Sequence, residues 1–293
     1  MSARVAASGF STLIYDANAE QAKVVAGDGP RRLGTLTQVA SCDAVVLMLP
    51  NSDIVEAVLL EEGLLAQMTP GALLVDMSSS DPARTVELAP KIVAEGVDFM
   101  DAPVSGGVAR AVSGELTVIA GAEAGTLSRA RPLLETMAAN IFHVGGVGSG
   151  HAAKALNNLL SATGLLASIE AVEAGRRFGI DPHTLLELLN VSTGRNDATE
   201  RKIDRFVLSE AYDSGFKASL MLKDLRLAAS MCEQLGLGTG LAGRVTEQWA
   251  AACEQLAPGA DQTEIARVTN GSAASGPIAG SRPMTTNDTG ARH

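Results

Sequence analysis

The first half of this chain alternates short apolar runs with stretches of helical spacing, and that alternation restricts its fold more than any other feature. Residues 12–15 (TLIY), 44–49 (AVVLML), 73–75, 97–100, 116–120 and 141–144 read as strands. Residues 52–60 and 82–95 carry helical patterns between them. Near-continuous apolar strands are what a sheet covered on both faces requires. Helices interposed at this spacing predict crossovers and a doubly wound parallel sheet. The expectation for residues 1–145 is therefore an α/β, Rossmann-like domain.

The pattern changes after the glycine cluster at 145–150 (GGVGSG). Residues 151–178 form one long helical pattern, with Leu156, Leu159, Leu160, Leu166, Ile169 and Val172 three or four apart. Further helices are expected over 182–190, 220–235 and 241–255. We place an all-helical domain at 146–270 and a disordered tail at 271–293, where Gly, Ser, Pro and Thr replace any periodicity. Hydrophobic residues make up 46% of the chain but aromatics only 3%, so Ala, Leu, Val and Met must fill the core.

The front end departs from its own fold. A dinucleotide fold opens with a strand, a glycine-rich turn and a helix. Here MSARVAASGF reads as the second half of that helix, ended by Gly9, and residues 12–16 read as the second strand. No GxGxxG precedes it. This opening predicts a first strand and turn encoded in roughly a dozen to twenty residues upstream.

Several function classes are excluded. A net charge of −10 cannot neutralise phosphates, so no nucleic-acid role is expected. No apolar run reaches the roughly 18 residues of a membrane span, and no signal peptide is legible. Cys42, Cys232 and Cys253 are scattered without metal or disulfide spacing, which fits a reducing cytoplasm. His143, His151, His183 and His293 form no HxxxH or HExxH pattern, so no metal is expected.

The chemistry-bearing residues cluster at strand ends and at one helix. Asp16 closes an apolar strand, where a carboxylate can accept the adenosine ribose hydroxyls and repel a 2′-phosphate, favouring NAD; it can also simply begin a turn. Leu49 and Pro50 end the next strand, and strand C-termini line the ligand crevice of such sheets. Ser78, Ser79 and Ser80 follow LLVDM as donors for nicotinamide or ribose, with Asp81 the better helix cap. The turn Asp101–Ala102–Pro103–Val104–Ser105–Gly106–Gly107 offers amides and a hydroxyl to a carboxylate. Lys154 and Asn158, four apart, share a helix face in an otherwise apolar pattern. A buried lysine there can exchange a proton with a substrate oxygen. Lys223 and Asp224 follow a second apolar run, as a surface ion pair or as cleft residues.

Together these segments resemble the β-hydroxyacid dehydrogenase family over about residues 1–269. DAPVSGG at 101–107 is similar to its substrate loop, GVGSGHAAKALNN at 146–158 to its catalytic helix start, and FKASLMLKDLRLA at 216–228 to its C-terminal signature. Residues 192–195 (STGR) favour the same branch. The resemblance implies Lys154 as general acid/base and Asn158 as a substrate holder. It implies Ser105, Gly106 and Gly107 on the substrate carboxylate. Leu49, Pro50, Ser79 and Lys223 would contact the cofactor, and Asp16 would select NAD. It also implies a homodimer or homotetramer associating through the long helix. The family's GxGxMG turn has no counterpart here.

Three other readings remain open from sequence. One is a related small aldehyde acid as substrate, such as tartronate semialdehyde or sulfolactaldehyde, or threonate or serine. Another is NADPH-dependent reduction of glyoxylate or succinic semialdehyde, against which Asp16 argues. The third is a non-catalytic remnant, suggested by the missing glycine turn and opposed by Lys154, Asn158 and the SGG turn.

Overall fold

The computed structural model describes residues 1–27, 29–237 and 240–271. Residues 272–293, nearly all of the expected tail, lie outside the described residues. Packing divides the chain into two compact units. The first is Met1–Leu159 with Lys223–Thr246; the second is Leu160–Leu222 with the described part of Glu247–His293. This division falls within the long helix rather than at the glycine cluster. The opening turns of that helix, and a later helical segment, pack with the sheet.

The first unit holds strands β1 (Leu13–Ile14), β2 (Arg32–Leu33), β3 (Ala44–Leu47), β4 (Leu73–Asp76), β5 (Asp98–Asp101), β6 (Val104–Ser105), β7 (Leu116–Gly121) and β8 (Ala138–Gly145). β1 and β2 pair only with each other, in parallel. β3, β4 and β5 are parallel neighbours, with Val45 beside Leu74 and Leu74 beside Phe99. β5 and β6 both pair antiparallel with β7, and β8 runs parallel to β7. The sheet is therefore Rossmann-like across β3–β4–β5 and mixed at its far side.

Alternation along β4 explains why both faces are covered. Leu73 and Val75 join one buried cluster, with Met100, Val118 and Leu134. Leu74 points the other way, into a cluster with Val45, Leu59, Leu88, Ile92 and Phe99. The period-two geometry of a strand sends neighbours to opposite faces. Helix Pro82–Ala94 starts where the sequence places it: Asp81 caps it through the Ala83 and Arg84 amides, and Pro82 fills its first turn. Residues 52–60 split into an α-helix, Ser52–Glu56, and a π-helical turn, Ala57–Glu61.

The second unit is helical. It contains the continuation of Ser149–Phe178, then Pro182–Asn190, Asp197–Arg201, a π-helical turn Ile203–Leu208, and later the part of Leu241–Cys253 from Glu247 onward and Ile265–Gly271. Ala162, Leu165, Ile169, Ile203, Trp249 and Ile265 are buried in it. The long helix is apolar and long enough to cross a membrane by composition, contrary to the expectation that no segment would be. Its Gly, Ala and Ser residues keep charge sparse along that stretch without forming a continuous apolar run. Leu156 and Leu160, expected on its apolar face, are exposed instead.

Candidate active site

The site is assembled at the start of the long helix, where the chain leaves β8 through Gly146, Val147 and Gly148. Asp101, at the end of β5, holds that start in place. Its Oδ1 accepts the Gly148 amide at 2.7 Å and its Oδ2 accepts the His151 amide at 2.7 Å. A carboxylate receiving amides at a helix N-terminus is favoured by both hydrogen bonding and the helix dipole. Burial pushes the Asp101 carboxyl up; the His151 ring and these amides oppose it. Gly121 and Gly150 make the approach possible. A Cβ on Gly121 would lie within hard contact of Asp101 Oδ1 and the Gly150 amide. Asp101, read in sequence as part of the substrate turn, thus works as a cap.

Lys154 and Asn158 project from the next turns on one helix face. Lys154 is partly buried, and desolvation of its ammonium, with a smaller push from Lys223, lowers its pKa against the pull of Asp224. Asn158 is buried, and its Nδ2 donates to Asp224 Oδ2 at 2.5 Å. Asn157 Nδ2 donates to Asn158 Oδ1 at 3.1 Å, which completes the orientation of that amide. Asp224 is 3% exposed, which decides between the two sequence readings of Lys223–Asp224: this carboxylate is an interior residue.

Lys223 ties two strand-end loops together. Its Nζ donates to the Pro50 carbonyl at 3.0 Å and the Ser79 carbonyl at 2.7 Å, and lies 3.3 Å from Asp224 Oδ1. Two of the ammonium's three donors are thus taken by carbonyls, and Asp224 adds an ion pair. Ser78 and Ser80 are likewise engaged: Ser78 Oγ accepts the Leu49 amide at 2.9 Å, and Ser80 Oγ donates to Asp76 at 3.2 Å. Ser79, Leu49 and Pro50 therefore form a rim past the ends of β3 and β4.

Asp16 lies two residues beyond β1, exposed, with Oδ1 accepting the Asn18 amide at 2.8 Å. Ser105 sits in β6, opposite Thr117. Gly106 (φ 129°) and Gly107 (φ 67°) open the helix Gly107–Ser113 in a backbone conformation that favours glycine. No described side-chain hydrogen bond or ion pair joins this turn to Lys154. Asn158, Asp224, Lys223, Pro50 and Ser79 are joined by hydrogen bonds and one ion pair, and the Asp224 charge acts on Lys154; no described side-chain contact ties the Ser105 turn or Asp16 to them.

A nicotinamide nucleotide fits part of this arrangement. Asp16, the Leu49–Pro50 pair and Ser79 all follow C-terminal strand ends, where doubly wound sheets bind ligands. The exposed Asp16 carboxylate suits ribose hydroxyls. The Leu49–Pro50–Ser79 rim suits the nicotinamide end. Among the described residues, no GxGxxG turn joins a strand to a helix to receive the pyrophosphate.

A strand-end rim beside a desolvated lysine is an arrangement suited to a nicotinamide-dependent oxidoreductase. Residues 1–145 match the family model for the NAD-binding domain of 6-phosphogluconate dehydrogenase, and residues 148–269 match that for the NAD-binding region of NADP-dependent 3-hydroxyisobutyrate dehydrogenase. Mitochondrial 3-hydroxyisobutyrate dehydrogenase of Pongo abelii is 38% identical over 228 residues, 75% of this chain and 68% of that protein. 2-(Hydroxymethyl)glutarate dehydrogenase of Eubacterium barkeri is 35% identical over 222 residues, 75% of this chain and 74% of that protein. The solved structure of Mycobacterium tuberculosis 3-hydroxyisobutyrate dehydrogenase with L-serine superposes with a TM-score of 0.83 at 28% identity, covering 92% of this chain and 94% of that one. The chain belongs to the β-hydroxyacid dehydrogenase family and is an NAD(P)-dependent hydroxyacid oxidoreductase.

Proposed function

We propose that this chain oxidises a small 3-hydroxy acid of the 3-hydroxyisobutyrate type to its semialdehyde, reversibly, with Lys154 as the general acid/base and NAD preferred over NADP. The observation that carries the reading is the Lys154 amine, desolvated at the start of the long helix and balanced by the buried Asp224. The nicotinamide, when bound, supplies the hydride acceptor. The Ser105 hydroxyl and the Gly106–Gly107 amides hold the substrate carboxylate. Lys154 Nζ, as the neutral amine, takes the substrate hydroxyl proton; protonated, it returns that proton to the carbonyl oxygen in the reverse direction. Asn158 orients the same oxygen while Asp224 fixes the Asn158 amide. Asp16 accepts the ribose hydroxyls and disfavours a 2′-phosphate.

Lowering the lysine pKa raises its neutral fraction near neutral pH, which is what a base in the oxidative direction needs. The domains follow as residues 1–145 for the cofactor and 146–270 for substrate and association. A homodimer or homotetramer is the proposed assembly, as the family resemblance implies. A reducing cytoplasm is the proposed location. The test is a substrate panel with both cofactors, run on the unaltered chain and on Lys154→Ala. We expect 3-hydroxyisobutyrate with NAD to lead the panel, and kcat to fall about 100-fold or more in the variant. Near-normal turnover by Lys154→Ala would remove the lysine from the mechanism. Preference for a tartronate-type substrate would move the reading within the family.

A further inference from the structure

The buried imidazole of His151, one helical turn before Lys154, has no place in the chemistry above, yet three elements converge on it. Its side chain is fully enclosed. Nδ1 lies 2.9 Å from Thr85 Oγ1, on the helix Pro82–Ala94. The Thr85 hydroxyl donates its one proton to the Asp81 carbonyl at 2.9 Å. With its proton so placed the hydroxyl accepts from the ring, an arrangement that assigns a proton to Nδ1. Asp101 Oδ2, at the end of β5, is 3.7 Å from Nδ1, and Asp76 Oδ2, at the end of β4, is 3.9 Å from Nε2. Nε2 has no hydrogen-bond partner among the described residues. Asp76 is itself engaged by the Ser78 amide and the Ser80 hydroxyl, and Asp101 by two amides of the long helix.

We propose that His151 is a positioning residue for Lys154: its Nδ1–H···Thr85 bond, set between the Asp76 and Asp101 carboxylates, fixes the rotation of the first helical turn and so the placement of the catalytic amine. Backbone capping by Asp101 holds where the helix begins but leaves its rotation to side-chain contacts. His151 and Lys154 are three apart and so lie on neighbouring surface of the helix. A ring locked against Thr85 sets the direction in which Lys154 leaves the backbone. Two carboxylates flank the ring, and Thr85, Asp76 and Asp101 face it from the helix Pro82–Ala94, β4 and β5. The inference rests on Lys154 being the proton-exchanging group.

The conservative probe is His151→Asn, whose amide nitrogen can occupy the Nδ1 position and donate to Thr85. The disruptive probes are His151→Leu and Thr85→Val. The first measurement needs no turnover: competitive acetylation of the Lys154 amine in the cofactor-free protein, as a function of pH. We expect the labelling midpoint to move towards that of an ordinary lysine in His151→Leu and Thr85→Val, and to stay near the parent in His151→Asn. The second is steady-state kinetics. We expect kcat to fall roughly 10- to 100-fold in the disruptive variants, with KM changing about twofold at most, and the double variant no worse than either single. His151→Asn should restore kcat to within about threefold of the parent. Unchanged labelling and kcat in His151→Leu would overturn the inference. So would equal losses in His151→Asn and His151→Leu, which would mark a role in packing alone. An unaltered chain that oxidises no hydroxy acid would refute the functional reading instead, and the labelling titration would still judge the positioning role.

Discussion

The two ends of the first unit are built differently. Around β4, β5 and the start of the long helix, Asp76, Asp101, His151, Asn158 and Asp224 are buried, and hydrogen bonds tie strand ends to the helix carrying Lys154. Around β1 and β2, two two-residue strands pair only with each other, and both residues of β2 are exposed. Their one acidic landmark, Asp16, bonds a backbone amide two residues away. Proton chemistry needs fixed distances, and buried hydrogen bonds such as these supply them. Ribose recognition at a strand end needs only a carboxylate in the right place. The substrate end should therefore fail sharply when altered, and the Asp16 end gradually.

The largest effect is expected at Lys154. Lys154→Met should abolish turnover by about 100-fold or more while raising stability at pH 7 by about 0.5–2 kcal/mol in urea unfolding. The sign follows from burial. The folded pKa is lowered, so the charged lysine costs stability at neutral pH, and that cost disappears as pH rises towards the unfolded-state value near 10. A variant both inactive and less stable would break the contrast. Next comes Asp224→Asn. Removing this carboxylate should lower kcat roughly tenfold and move the Lys154 limb of the pH profile to lower pH, because Asp224 holds that pKa up. A limb moving to higher pH would contradict the electrostatic assignment.

How much of this was legible in the sequence follows from the range of each interaction. Helix Pro82–Ala94 was visible because cap, proline and period are adjacent. Lys154 and Asn158 were visible because a four-residue spacing puts two polar groups on one face. The antiparallel run of β7 was not visible, since hydrophobic periodicity carries no strand direction. β8 begins at Ala138, earlier than the apolar run at 141–144, because its first residues are recruited by pairing with β7 rather than by hydrophobicity. Asp101 read as a loop residue because the amides it caps lie 47 and 50 positions away. His151 gave no local signal either, its Thr85 partner being 66 positions distant.

Smaller effects probe the gradual end. Asp16→Ala should raise the KM for NAD about tenfold, narrow the preference over NADP, and leave the labelling midpoint of Lys154 in place. A shifted midpoint would show that the two ends are coupled after all. The smallest effect lies in the second unit, at Glu173. The Arg176 and Arg177 guanidinium groups hold its carboxyl down to about 2. Glu173→Gln should cost about 1 kcal/mol or less at pH 7, and the difference from the parent should close as pH falls from about 4 towards about 2. Urea unfolding at pH 7 and pH 3 measures it.

The most direct test is the pH dependence of kcat in both reaction directions, with the parent beside Lys154→Ala. The account predicts an oxidative rate that climbs, and a reductive rate that declines, through one shared midpoint below that of an ordinary lysine, with both limbs gone from the variant. Limbs that persist unchanged in Lys154→Ala would assign the proton to another group and contradict the account.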